Sequence, residues 1–257
     1  MLDSKESRRI VAVVPARYAS TRFPGKIIAP LLGKPVVLHT YERAREAALV
    51  DDVFIATDAQ EVVDALAPFG VTPVMTRVDH ASGTDRIAEV MANRPADIVV
   101  NVQGDEPVID PAVIDATVRP LLEQPDEVMS TARCRITRPE DIDNPNVVKV
   151  VCDARGRALY FSRWPIPYIR DAADRRAAGE CYWQHVGLYA YRRDFLLRYA
   201  RMPQTPLEKL EKLEQLRVLE NGYKLAVVDT EYESIGVDTP EDLERVRALL
   251  KTMQQGR

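Results

Sequence analysis

Chemistry-bearing residues are densest in the run Pro15-Ala16-Arg17-Tyr18-Ala19-Ser20-Thr21-Arg22-Phe23-Pro24-Gly25-Lys26. From Ser7 through Tyr41 no residue is acidic, whereas Arg8, Arg9, Arg17, Arg22, Lys26 and Lys34 are basic. The whole chain has a formal charge of −4, so this window reverses the local sign. Guanidinium and ammonium groups, spaced by small residues that let backbone N–H groups approach, suit a polyanionic phosphate group. The competing reading is a solvated basic loop. The run matches neither G-x-G-x-x-G nor G-x-x-x-x-G-K-[ST], so dinucleotide and P-loop chemistry lack their motifs. No Ser-His-Asp or Cys-His constellation is visible, and a covalent intermediate is not supported.

Ile10–Val14 reads as a buried strand whose carboxyl end delivers the basic loop, the place where α/β sheets put ligands. A helix is expected from about Pro35 to Ala48, with Pro35 in its first turn. Val37, Tyr41, Ala44 and Ala48 share one face of it. Val53–Thr57 is the next strand. Asp58 then opens a helix, with Glu61 completing a capping box and Gly70 as the stop. Val71–Met75, a Thr84–Ala92 helix and an Asp97–Val102 strand continue the alternation, which predicts a mostly parallel sheet flanked by helices.

The second half reads differently. Val128–Ile136, Val147–Cys152, Arg157–Phe161 and Gln184–Arg192 look like strands at hairpin spacing, an antiparallel α+β portion. Residues 169–181 are polar and read as a loop or short helix. Leu207, Leu210, Leu213, Leu216 and Leu219 form a stripe on one helix ended by Asn221-Gly222. A Lys224–Asp229 strand and a helix from Pro240 return to the main sheet. The expected fold class is α/β in one unit, residues 1–257. Residues 1–125 form the main α/β half, 126–222 the antiparallel portion and 223–257 the return.

A chain of 257 residues with 46% apolar and 29% charged residues is globular in composition. Lys plus Arg (35) against Asp plus Glu (39) argues against a general nucleic-acid binder. Cys134, Cys152 and Cys181 are odd in number and widely spaced, which predicts neither a disulfide framework nor a zinc cluster. No apolar run approaches the ~20 residues of a membrane span. The first residues also lack the apolar run of a signal peptide. A soluble, cytoplasmic chain is expected.

With Val102-Gln103-Gly104-Asp105-Glu106-Pro107 and Gly236-Val237-Asp238-Thr239-Pro240-Glu241-Asp242, the basic loop resembles the 3-deoxy-manno-octulosonate cytidylyltransferases, or CMP-Kdo synthetases. The likeness continues in Met75-Thr76-Arg77, His80-Ala81-Ser82-Gly83-Thr84 and Asn144-Pro145-Asn146. It then runs through Phe161–Pro167, His185–Arg192 and Leu213–Arg217, covering nearly the whole chain in order. Ile27 stands where proline is expected, a departure affecting the loop's exit and not its chemistry.

The resemblance implies transfer of CMP from CTP to the sugar acid Kdo, releasing pyrophosphate, for the lipopolysaccharide inner core. It implies that Arg17, Ser20 and Lys26 hold the triphosphate, helped by Arg22, with Arg17, Lys26 and Asp105 catalytic. The backbone of Pro15 and Ala16, with Arg77, Ser82 and Gln103, would read the cytosine. Ser82 could instead only cap the next helix, and Gln103 a strand end. Arg163, His185, Tyr189, Glu214 and Gln215 match positions that meet the sugar acid, and an arginine fork suits a carboxylate. His185 and Tyr189, four apart on a strand, share one face of the sheet. Glu214 has a plain alternative as a solvated flank beside Leu213.

Mg²⁺ is the implied cofactor, bridging the phosphates to Asp105 and Asp238. Asp238 has a competing reading as a helix N-cap in Asp-Thr-Pro-Glu. The resemblance implies that residues 1–125 are mainly CTP-binding and 126–222 the sugar-binding and dimerisation portion, with a homodimer formed through the second-half strands and helix and no nucleic-acid or membrane partner. The rivals are a nucleotidyltransferase for 8-amino-Kdo or sialic acid, a non-catalytic nucleotide-binding regulatory module, and an NAD-dependent oxidoreductase.

Overall fold

A computed structural model describes residues 8–20, 22–80, 82–171 and 181–255. Most of the predicted 169–181 loop, residues 172–180, lies outside the described residues. The chain opens with β1 (Ile10–Ala16), a tight hairpin of β2 (Pro30–Leu31) and β3 (Lys34–Pro35), and α1 (Val36–Arg45). It continues through β4 (Asp52–Thr57), α2 (Gln60–Leu66), β5 (Val74–Met75), α3 (Gly83–Ala92), β6 (Ile98–Asn101) and α4 (Pro111–Glu123). The second half begins with β7 (Met129–Arg135), α5 (Glu140–Asp143), β8 (Lys149–Cys152), β9 (Ala158–Ser162) and β10 (Trp183–Arg192). It ends with α6 (Arg193–Tyr199), α7 (Pro206–Glu211), α8 (Leu216–Glu220), β11 (Ala226–Asp229) and α9 (Pro240–Gln255).

One sheet carries the order β11-β7-β10-β6-β1-β4-β5, with β8 and β9 branching from β10. β6, β1, β4 and β5 are parallel neighbours, while β10 runs antiparallel to both β6 and β7. The parallel half and the antiparallel second half are therefore those expected, joined at the β6–β10 pair. β11 pairs in parallel with β7, so the chain's return closes the far edge of the same sheet. Along β1, Ile10, Ala12, Val14 and Ala16 enter one core and Val11 and Val13 the other. A strand covered on both faces reads as an unbroken apolar run because its period of two has no wet side.

Three local expectations are corrected. α1 starts at Val36, with Pro35 as the residue before it and exposed Ala48 beyond its end. α2 has no side-chain cap, because Asp58 accepts instead from the Arg86 guanidinium at 2.7 Å. Gly70 still provides the stop, at φ 70°, after a short 3₁₀ turn. The leucine stripe is split between α7 and α8, since Lys212 takes a left-handed conformation at φ 54°. Leu213 and Leu216 are buried, but Leu210 faces solvent. A strict three-residue spacing drifts around a 3.6-residue helix, so it does not guarantee one continuous face.

Candidate active site

The basic loop leaves β1 where its two neighbours part. The β6 ladder stops at Val13 opposite Asn101, while β4 remains in register as far as Ala16. Pro15, which has no N–H, thus sits where no β6 partner is waiting. The turn after β6 comes very close to it: a Cβ on Gly104 would lie 2.6 Å from the Pro15 carbonyl oxygen. Only glycine allows that approach. The Thr40 hydroxyl of α1 braces the turn from behind, donating to the Gly104 carbonyl at 3.0 Å. At the loop's other end Gly25 adopts φ 70°, and Lys26 opens a 3₁₀ turn that buries Ile27 beneath it. The proline expected at position 27 is thus replaced by a core side chain that also lines the site.

Lys26, Asp105 and Asp238 converge on one point. The Lys26 ammonium lies 2.5 Å from Asp105 Oδ2 and 2.8 Å from Asp238 Oδ1, and Arg22 meets Asp238 Oδ2 at 2.9 Å. Burial alone would lower the Lys26 pKa, but the charge and hydrogen bonds of the two carboxylates outweigh it and raise the pKa. Asp238 is not the helix cap. Thr239 Oγ accepts from the Asp242 N–H, and the Asp242 carboxylate accepts from the Asp238 and Thr239 N–H groups. That reciprocal box leaves the Asp238 side chain free to face Lys26.

These groups line a cavity of about 440 Å³ together with Pro15, Arg17, Ser20, Arg22 and Gln103. Arg17 reaches across its mouth to the His80 carbonyl at 2.5 Å. The Gln103 amide donates to the Gly187 carbonyl at 3.1 Å, tying the cavity floor to β10. Ala16 lies behind the wall, and its carbonyl accepts from the Thr57 hydroxyl. Arg77 points into a neighbouring cleft with Asp79 and Glu89. Ser82 forms a capping box with Asp85 at the start of α3 and lines an adjoining cavity that contains Glu214.

The predicted sugar-contact residues fall into three places. His185, Tyr189 and Gln215 are buried together: His185 packs edge-on against Phe161, and the Tyr189 hydroxyl donates to Gln215 at 3.2 Å. Burial pushes the His185 pKa down to about 3. The two ring residues stay adjacent, 5.3 Å between centroids, although β10 bulges between Val186 and Tyr189. The Thr131 hydroxyl meets His185 Nε2 and the Val186 and Leu188 carbonyls around that bulge. Glu214 accepts from Thr84 at 2.9 Å, and burial raises its pKa. Arg163 is occupied by backbone, donating to the Glu211 and Pro145 carbonyls at 2.7 and 2.8 Å.

Two further residues at the site were not singled out from sequence. Arg86, fully buried, lines the cavity while bonded to Asp58. Its signal was a guanidinium one helical turn before buried Val90, on an apolar face. Glu106, beside Asp105, accepts from Ser234 at 2.7 Å and Tyr232 at 3.2 Å. Burial raises its pKa to about 7, with the Asp105 charge adding to the rise.

Two hard carboxylates at one point fit a dication that takes one or two protein ligands and completes its shell with phosphate and water. Among the described residues no group of three or more His, Cys, Asp or Glu side chains could hold a metal. An all-protein metal cage is therefore not what the described residues offer. No described helix is long and apolar enough to cross a membrane.

The cytidylyltransferase family profile matches residues 11–232. The 3-deoxy-manno-octulosonate cytidylyltransferase of Solibacter usitatus is 57% identical over 244 residues, which is 95% of each chain. That of Geobacter metallireducens is 54% identical over 253 residues, 96% of this chain and 99% of its own. A solved CMP:2-keto-3-deoxy-manno-octonic acid synthetase complexed with CTP is 44% identical and superposes with a TM-score of 0.88. The superposition covers 95% of this chain and 99% of that one. With a fold, a signature loop and a full-length likeness in agreement, the chain belongs to the cytidylyltransferase family, in its 3-deoxy-manno-octulosonate branch.

Proposed function

We propose that this protein couples CTP to Kdo, giving CMP-Kdo and pyrophosphate, with the cavity around Lys26 as the nucleotide site. The observation that carries the reading is the convergence of Lys26, Asp105 and Asp238 beneath the basic loop. The anomeric hydroxyl attacks the α-phosphorus in line; its bond to phosphorus forms as the bond to the bridging oxygen of pyrophosphate breaks. Arg17, Ser20 and Arg22 bind the triphosphate, and Lys26 follows the charge that develops toward the leaving group. The raised Lys26 pKa keeps that ammonium protonated at neutral pH.

Asp105 and Asp238 would hold Mg²⁺, which when bound neutralises the triphosphate and acidifies the attacking hydroxyl. Gln103, Ser82 and the Pro15–Ala16 backbone read the base, with Arg77 swinging in from the neighbouring cleft. Arg163, His185, Tyr189, Glu214 and Gln215 serve the sugar acid. With His185 neutral, its role is shape and hydrogen bonding and not proton transfer. The enzyme works in the cytoplasm, where its substrate CTP is found, and as a homodimer. Exposed Leu159, Trp164, Tyr168 and Leu210, on β9, the segment after it and α7, support a covered face.

The test is pyrophosphate release from CTP and Mg²⁺ with Kdo, 8-amino-Kdo or sialic acid. Release with Kdo is expected. Release only with another sugar acid, or none with any, would overturn the reading.

A further inference from the structure

We infer that Glu106 is a positioning residue: its carboxylate clasps the 230–238 segment so that Asp238 meets Asp105 and Lys26, and turnover depends on that clasp. The inference rests on the reading of those three residues as the reaction centre.

Asp238 arrives on a stretch with neither strand nor helix, between β11 and α9. Such backbone has no ladder to hold it in register, so particular contacts must do so. Beside the β6 turn the segment packs buried Val237 against Val108, and its polar contacts there are specific. The Val237 N–H donates to the Asp105 carbonyl at 2.8 Å. The Ser234 hydroxyl donates to Glu106 Oε1 at 2.7 Å and the Tyr232 hydroxyl to Oε2 at 3.2 Å. Glu106 is thus the two-point side-chain bond between the segment and the turn that carries Asp105. It is 5% exposed, so water competes little for those bonds. Glu106 is absent from the cavity around Lys26 and lines instead an adjoining one of about 390 Å³, which shares Asp105 and Asp238 with it, so Glu106 reaches the centre by way of those two carboxylates. A buried carboxyl next to another carboxylate is costly, and an apolar residue would pack there at lower cost. Placement of Asp238 is the gain that accounts for it.

The experiment compares Glu106→Ala, Glu106→Gln and the double variant Tyr232→Phe/Ser234→Ala by steady-state kinetics and hydrogen exchange. Misplacing Asp238 by about an ångström should lower kcat about 10- to 100-fold in Glu106→Ala and in the double variant. The KM for CTP should stay within about twofold, because groups outside the clasp hold the nucleotide. In both variants amide exchange should accelerate over 230–238 and not over β1, β4 or β6. Glu106→Gln keeps an acceptor for Ser234 and a donor for Tyr232, so it should retain most of the activity. The double variant leaves Glu106 in place and serves if Glu106→Ala does not fold.

Unchanged exchange over 230–238 would overturn the clasp itself. Accelerated exchange with normal kcat, in a background where Asp238→Asn is inactive, would overturn its link to turnover. Full activity of Asp238→Asn would take down the reading of the centre, and the inference with it.

Discussion

Lys26 holds its proton against burial because two carboxylates share it, and that geometry makes its removal a sharp test. On the proposed mechanism Lys26→Ala should lower kcat by about 100-fold or more, since a half-buried positive charge that follows developing negative charge acts chiefly on the transition state. Pyrophosphate release alongside a thermal melt checks this; a near-normal kcat would return Lys26 to the status of a structural ion-pair partner. A second pair of variants separates chemistry from capping. Asp238→Asn should lose activity with little change in Tm. Thr239→Ala should keep activity but lose about 1 kcal/mol of stability, because the cap belongs to Thr239 and Asp242. His185 makes a third prediction, on pH. Its folded pKa of about 3 lies below the unfolded value, so the unfolded chain binds more protons between those pH values. Stability is complete above about pH 6.5 and declines as pH falls, by up to about 1.4 kcal/mol per pH unit for this one group. In His185→Gln the melts between pH 6.5 and 5 should show a shallower slope.

At the scale of elements, the site is a junction of three loops, and Gly104 sets how closely two of them pack. Gly104→Ala would press a methyl group onto the Pro15 carbonyl, a backbone atom that cannot rotate away. The expected result is a loss of about 1–3 kcal/mol in a urea titration, together with weakened CTP binding as Asp105 shifts. Wild-type stability in that variant would mean the β6 turn moves freely. The same scale shows why some local signals misled. Asp58 has the right spacing to Glu61 for a capping box, but the buried Arg86 guanidinium competes for it and wins. An ion pair with a wholly buried arginine is costly to break, whereas a missing cap on exposed α2 costs about 1 kcal/mol.

Over the whole molecule, the sheet joins the parallel half to the second half through the antiparallel β6–β10 pair. Gln103, two residues past β6, bonds to Gly187 in the bulge of β10, two residues from His185. One strand pair therefore links the proposed base reader to the proposed sugar residues. Of the exposed apolar side chains, Leu159, Trp164, Leu207 and Leu210 fall on β9, the stretch after it and α7. Arg163 bonds to the Glu211 and Lys212 carbonyls, which brings Trp164 beside the end of α7. Trp164→Glu combined with Leu210→Glu should convert the proposed dimer to monomer in sedimentation velocity while leaving the melt cooperative. An unchanged mass would place the interface elsewhere.

The family likeness rests on motifs spread along the chain, whereas the alternating half, the antiparallel half and the strand that delivers the basic loop were legible locally. These are signals carried by residues within a turn or two of each other, where periodicity and glycine positions act directly. Tertiary structure alone decided how the charges pair. Lys26 meets partners 79 and 212 residues away, and no local pattern encodes such a meeting. It likewise decided that Asp238 faces the cavity while Thr239 caps α9, and that Lys212 breaks the leucine stripe. It also buried Arg86 and Glu106, charged residues that composition assigns to the surface. The physical reason is common to all of these: a side chain takes its partner from what the folded sheet brings within reach, and sequence neighbours supply only the first candidates.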